Sequence, residues 1–168
     1  DLNHRDKLLE GEIRFVDSKT IEVLRRSEAW ARDQYVYARI EFDKPMNLNK
    51  FIADFVSNRK EYYGQKLAMS FSKQVKKGEK LRLKVTLSNT GFDGTEINST
   101  EIQHWDFDKA HKAAIELWNK ELSKIEVTSN DKNKLAIFYT ALYHTMMQPN
   151  IAQDLDGKYR GRDNKIHV

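Results

Sequence analysis

The 168-residue sequence has no cysteine, which excludes a disulfide framework, thiolate metal sites and a cysteine nucleophile but leaves the redox compartment open. Proline and glycine are scarce, at two and seven residues, which argues against a linker or a fibrous segment. No apolar run is long enough for a membrane span. The longest, Leu135 to Met147, is interrupted by Thr140, His144 and Thr145 and falls short of the roughly 20 residues a spanning helix needs. A glycine-rich phosphate loop and a serine elbow are missing as well. None of His4, His104, His111, His144 and His167 has metalloprotease spacing. No signal peptide is visible, and the sequence begins at Asp1 without an initiator methionine, so the expectation is that upstream sequence has been cut away.

What is present is a globular composition: 39% hydrophobic, 11% aromatic and 32% charged residues, enough for a core and unlike a disordered chain. The formal charge of +4 is spread along the chain. Its densest basic cluster, Lys73, Lys76, Lys77 and Lys80, flanks Gly78 and reads as a solvated hairpin turn. Without stacking aromatics among those lysines, a nucleic-acid partner is not expected.

From Leu8 to about Ser88 apolar and polar residues alternate with the period of a half-buried strand. Six strands are expected, carried by Ile13 and Phe15; Ile21 and Val23; Val36 to Phe42; Phe51 to Phe55; Leu67 to Phe71; and Leu81 to Leu87. Short turns between them imply an antiparallel sheet. Tyr35 and Tyr37 put aromatic rings opposite Val36 and Ala38, so the third strand should be covered on both faces. The stretch from Thr90 to Thr100 reads as a loop, and its Asn98-Ser99-Thr100 triplet has the pattern of a glycosylation acceptor.

Two helices follow. Phe107, Ala110, Ala114, Leu117, Trp118, Leu122 and Ile125 recur at helical spacing behind the capping Asp106. A second helix, from about Asp131 to a stop at Pro149, is apolar nearly all round, which requires neighbours that the sequence does not supply. We therefore expect a helical domain to continue beyond Val168. Trp118 belongs to the first helix's core stripe, His144 reads as a hydrogen-bonded core residue, and Trp30 and Trp105 stay open as sugar-stacking candidates.

The best local candidate for a site is Asp154 to Asp163, where carboxylates, arginines and glycines concentrate. An EF-hand reading fails, because Gly157 falls fourth and Lys165 twelfth counting from Asp154. Taken alone, the run also fits a glycine-bearing turn entering a hairpin, with Asp154 and Asp156 bonding local amides.

The segments Phe138 to Thr145, Gln148-Pro149-Asn150 and Asp154 to Asp163, together with Phe107-Asp108 and Trp118 to Ile125, closely resemble glycoside hydrolase family 92. The resemblance implies an α+β chain. An antiparallel β-sandwich, part of a supersandwich, would span 1–104, a helical linker 105–127, and the truncated start of an (α/α)6 catalytic domain 128–168. It further implies a fragment of a calcium-dependent, inverting exo-α-mannosidase acting on terminal, α-1,2-linked mannosides of glycans outside the cytoplasm. The acid, the base and most calcium ligands would lie beyond Val168, so this chain alone should be inactive. Asp163 corresponds to an aspartate that binds mannose hydroxyls, and is the one substrate-binding residue expected here. No membrane partner is implied. The competing reading is a non-catalytic carbohydrate-binding or interaction sandwich, which the apolar second helix disfavours.

Overall fold

The computed structural model describes residues 6–29, 31–57 and 61–168. Trp30 and His4 lie outside the described residues. The chain forms two compact units, one of Asp1–Gln103 with Gln153–Val168 and one of His104–Ala152.

The first unit is built on a six-stranded antiparallel sheet. Its strands are β1 (Lys7–Phe15), β2 (Thr20–Glu28), β3 (Gln34–Phe42), β5 (Phe55–Val56), β6 (Glu61–Tyr63) and β8 (Leu83–Ser88), in the order β5-β6-β1-β2-β3-β8. A separate antiparallel pair joins β4 (Asn47–Ile52) to β7 (Ala68–Ser72). Alternation along each strand sorts the side chains onto two faces, and the register shows which meet. Ile13, Val23, Ala38 and Leu87 form one cross-strand row, with Phe15, Ile21, Ile40 and Val85 beside it. This is the apolar face. Phe71 of β7 stacks on Phe15 at 6.2 Å between centroids and lies tilted on Phe42, while Phe51 of β4 meets Tyr62 of β6 at 4.6 Å. The β4–β7 pair thereby covers one part of that face. At the β8 edge Leu83, Val85 and Leu87 stay more than half exposed.

The opposite face is charged and also covered. Arg14, Glu22 and Arg39 form a row of alternating sign across three strands. Arg39 reaches Glu22 at 2.8 Å, and Arg14 donates to the buried Glu12 at 2.5 Å. Over this row lies α1 (Phe92–Asn98), which continues into a single 3-10 turn at Ser99–Glu101. Phe92 receives the Arg14 guanidinium on its ring face at 3.9 Å and the edge of Tyr37 at 5.0 Å. Both faces of β3 are covered, as Tyr35 and Tyr37 led us to expect.

Three details differ from the sequence reading. The stretch at 90–100 is a helix with a 3-10 turn and not a loop; seven residues, with one glycine among them and another at the N-cap, are too short for periodicity to declare it. The fourth expected strand breaks after Ile52, and Phe55 enters the other sheet as β5, because Asp54 turns the chain by donating its amide to Tyr63 O at 2.8 Å and accepting from Gln65 N at 2.9 Å. Tyr63, which falls between two of the expected strands, pairs with β1 as the end of β6. The lysine cluster does surround a turn, with Gly78 at φ 82 and Glu79 N bonded to Lys76 O.

The second unit contains α2 (Phe107–Leu122) and α3 (Lys132–Thr145). Each starts at a capping aspartate. Asp106 accepts from Lys109 N, and Asp131 accepts from the amides of Asn133 and Lys134. Trp118 meets Tyr143 edge-on at 4.5 Å, and Tyr139 donates its hydroxyl hydrogen to Ile125 O. No residue of either helix is buried, and Phe107, Leu117 and Ile137 are two-thirds or more exposed. His144 is exposed as well and lies against Tyr143, so it is no core histidine: the helix pair is too small to enclose it. No helix is long and apolar enough to cross a membrane among the described residues.

Candidate functional site

The acidic and glycine-bearing run at the end of the chain folds into a hairpin of β9 (Tyr159–Arg160) and β10 (Ile166–His167), with His167 opposite Tyr159. Gly157, at φ 84, makes the turn into it, and Asn164, at φ 62, makes the turn at its tip. The hairpin reading of this segment therefore holds, and Asp163 stands in the loop at its tip.

Asp163 is half-exposed. Its Oδ1 accepts from Lys165 N at 3.1 Å and lies 3.0 Å from His167 Nε2. The contact with His167, helped by the Lys165 amide, holds the Asp163 carboxyl below the usual carboxylate range. Both neighbours use the same oxygen, Oδ1, so among the described residues neither of them occupies Oδ2. Tyr159 stacks on the His167 ring at 5.5 Å and fixes its plane. Gly161 is needed for this packing, since a Cβ there would lie 2.6 Å from Asp163 Oδ1 and 2.7 Å from the His167 ring. A charged oxygen facing solvent beside an aromatic surface can accept hydrogen bonds from a polyol.

Strands of two residues cannot hold such a tip in place by themselves. Arg160 does so from within the hairpin. Its guanidinium donates to Asn89 O at 2.8 Å, Asn164 O at 2.9 Å and Thr90 O at 3.1 Å, and it lies on the Tyr35 ring at 4.1 Å. At the tip Asn164 donates to Asp33 at 2.8 Å. Asp33 in turn receives two hydrogen bonds from Arg26, both 2.7 Å, and that pairing lowers its carboxyl pKa.

At the base of the hairpin Asp154 is buried. It did not bond local amides as the sequence suggested. Its carboxylate accepts instead from the Ser88 hydroxyl and the Asn98 amide, both at 2.7 Å, and from the Thr90 hydroxyl. Asn98 also donates to Leu87 O and accepts from Leu155 N at 2.8 Å. The Asn98 amide is fully used, so the acceptor-like triplet serves the fold in this structure. Asp156 does bond locally, to the Lys158 amide and ammonium.

Sequence reasoning named Asp163 but not His167, Arg160 or Asn98 as its supports. Only the spacing of four between Asp163 and His167 was visible in advance, and it has no meaning until a hairpin is assumed. Trp105, half-buried, and Trp118, packed on Tyr143, both belong to the helical unit. The calcium ion implied by the resemblance finds no ligand set in this chain: among the described residues no three His, Asp or Glu side chains converge to hold a metal.

Comparison with known proteins bears on this arrangement. Residues 95–168 match the model of the "Glycosyl hydrolase family 92 catalytic domain". None of the curated proteins matches the chain. Among solved structures, the family GH92 alpha-mannosidase BT3965 from Bacteroides thetaiotaomicron is similar over 96% of this chain, with 28% identity and a TM-score of 0.87. The same mannosidase in complex with mannoimidazole gives 27% identity and a TM-score of 0.88, again over 96% of this chain. This chain spans 23% and 22% of those two chains.

Proposed function

From the match of residues 95–168 to the glycoside hydrolase family 92 model and the likeness to a mannosidase of that family, we propose that this chain is part of an exo-acting α-mannosidase and supplies a wall of the sugar site in which Asp163 contacts the terminal mannose. The observation that carries the reading is the likeness of nearly the whole chain, sheet unit and helices alike, to a GH92 alpha-mannosidase. The Oδ2 oxygen of Asp163, which neither Lys165 nor His167 occupies, supports the assignment within it. The mannoimidazole bound by the similar enzyme supports a mannose-containing substrate.

In this reading Asp163 works by orientation. Its low-lying carboxyl pKa keeps it ionised, so it accepts hydroxyl hydrogens and does not shuttle protons. Inversion at the anomeric carbon requires one carboxylic acid to protonate the leaving oxygen and one carboxylate to activate water, roughly 6.5 to 9.5 Å apart. We assign both, the calcium ligands and the preference for α-1,2 linkages to parts of the longer enzyme outside these 168 residues. Action outside the cytoplasm belongs to the same reading.

Asp163→Asn in the longer protein tests it. A hydrogen bond to a charged group contributes about 1.5 to 3 kcal/mol, so kcat/KM on an aryl α-mannoside should fall about ten- to a hundredfold with the fold intact. Unchanged kcat/KM would reduce Asp163 to a turn residue. The 168-residue chain alone, with calcium added, should give no turnover above a mock preparation.

A further inference from the structure

We infer that Asp154 is a positioning residue for Asp163: clasped by Ser88, Thr90 and Asn98, it fixes the hairpin so that the sugar-facing carboxylate is in place before substrate arrives. The inference rests on the reading of Asp163 as the mannose contact.

Burying a carboxylate is costly, and an aspartate is kept there only when its hydrogen bonds offset the loss of water. The Asp154 side chain is held by two hydroxyls and an amide, from residues 56, 64 and 66 positions earlier in the sequence. These donors sit on the end of β8, the turn after it and the end of α1. The contact therefore ties the chain that leads into the hairpin to the rigid sheet. From there the path to the tip is short and stiff. Asp154 N donates to Lys158 O at 2.8 Å, Gly157 N donates to Asp154 O at 2.9 Å, and Arg160 then docks on the carbonyls of Asn89 and Thr90. Asp154 and Arg160 grip the same β8–α1 corner from two sides. Shape confirms how closely the clasp is built: a Cβ at Gly94 would fall within 2.5 Å of Asp154 Oδ2, Ser88 Oγ and Thr90 Oγ1. In an enzyme, a misplacement of about 1 Å in a substrate-holding group can cost about a hundredfold in rate. A clasp of this kind fixes the group without touching the sugar.

A double-mutant cycle in the complete enzyme separates positioning from general support of the fold. Asp154→Asn keeps the size but replaces an acceptor oxygen with a donor facing hydroxyls. Its kcat/KM on an aryl α-mannoside should fall about tenfold in the wild-type background. In the Asp163→Asn background the further loss should shrink to within about twofold, since no carboxylate remains to be placed. Thr90→Val removes a single hydroxyl and should show the same pattern more weakly; it decides the matter if Asp154→Asn does not fold. Equal losses in both backgrounds, or wild-type kcat/KM in both single variants, would overturn the inference while leaving the role of Asp163 untouched. If Asp163→Asn itself keeps wild-type kcat/KM, the reading of Asp163 fails and the positioning role falls with it.

Discussion

Tyr63 shows how strongly the charged face of the sheet acts on a single group. Burial, then the charge of Glu12 and the neighbouring Glu61 carboxylate, push its phenol up to about 12. A folded-state value above the ordinary tyrosine value, about 10, means the folded protein keeps a proton that the unfolded chain releases. The stabilisation from this group is therefore complete below about pH 10 and disappears as pH rises through about 12. Urea unfolding at pH 9 and pH 11 should show a larger loss of stability for the wild type than for Tyr63→Phe, which cannot ionise. Equal losses would mean that the phenol feels no such field. This effect could not be seen in the sequence. Glu12 and Glu61 lie 51 and 2 positions from Tyr63, and only the pairing of β6 with β1 brings all three together.

At the scale of elements, α1 and the hairpin are where sequence and structure diverge most usefully. Alternation made β1, β2, β3 and β8 legible, because one face of each strand is apolar and the period of two survives any tertiary context. The cap at Asp106 and the 3.6-residue stripe behind it made α2 legible in the same way. α1 has neither signal. Its N-cap is Gly91 and its interior holds Gly94, which reads as a helix breaker until Asp154 is seen filling the space a side chain would need. Gly94→Ala tests that account. In an open helix the change would stabilise by about 1 kcal/mol. Here overpacking costs about 1–3 kcal/mol, and disturbing hydrogen bonds to a buried charge costs about as much again. We expect a net loss of about 2 kcal/mol or more in chemical unfolding, opposite in sign to the propensity. Asp163 itself was found through its family resemblance; the residues that hold it became visible only when the chain was folded, since each works across 4 to 131 positions of sequence.

For the whole molecule, the uneven distribution of burial carries the main expectation. The sheet unit encloses Ile21, Leu24 and Tyr62, whereas α2 and α3 enclose nothing completely. An apolar side chain in contact with water loses little when it is made polar. Ile137→Lys in the 168-residue chain should therefore change stability by no more than about 0.5 kcal/mol. The same substitution in the longer mannosidase we propose should be clearly destabilising, because a helix apolar on all sides needs covering. Thermal unfolding of both pairs reads the difference. A similar small effect in the longer protein would mean that α3 stays at the surface there too.

The clasp around Asp154 also sets an order in time. Its bond to Ser88 spans 66 residues, and closing so long a loop is entropically unfavourable until one end is already rigid. The strands β1, β2 and β3 pair with sequence neighbours across short turns, so they can assemble first, even while the chain is still being made. The hairpin tip that carries Asp163 is then the last part of the sheet unit to settle. In refolding followed by amide protection, the amides of β2 and β3 should become protected before those of Leu155, Gly161 and Lys165, and a slow last step should be selectively lengthened by Thr90→Val. The protein would thus acquire its framework before its hairpin tip and, in the role we propose for Asp163, a newly made molecule would pass through a stage that is folded but unable to bind.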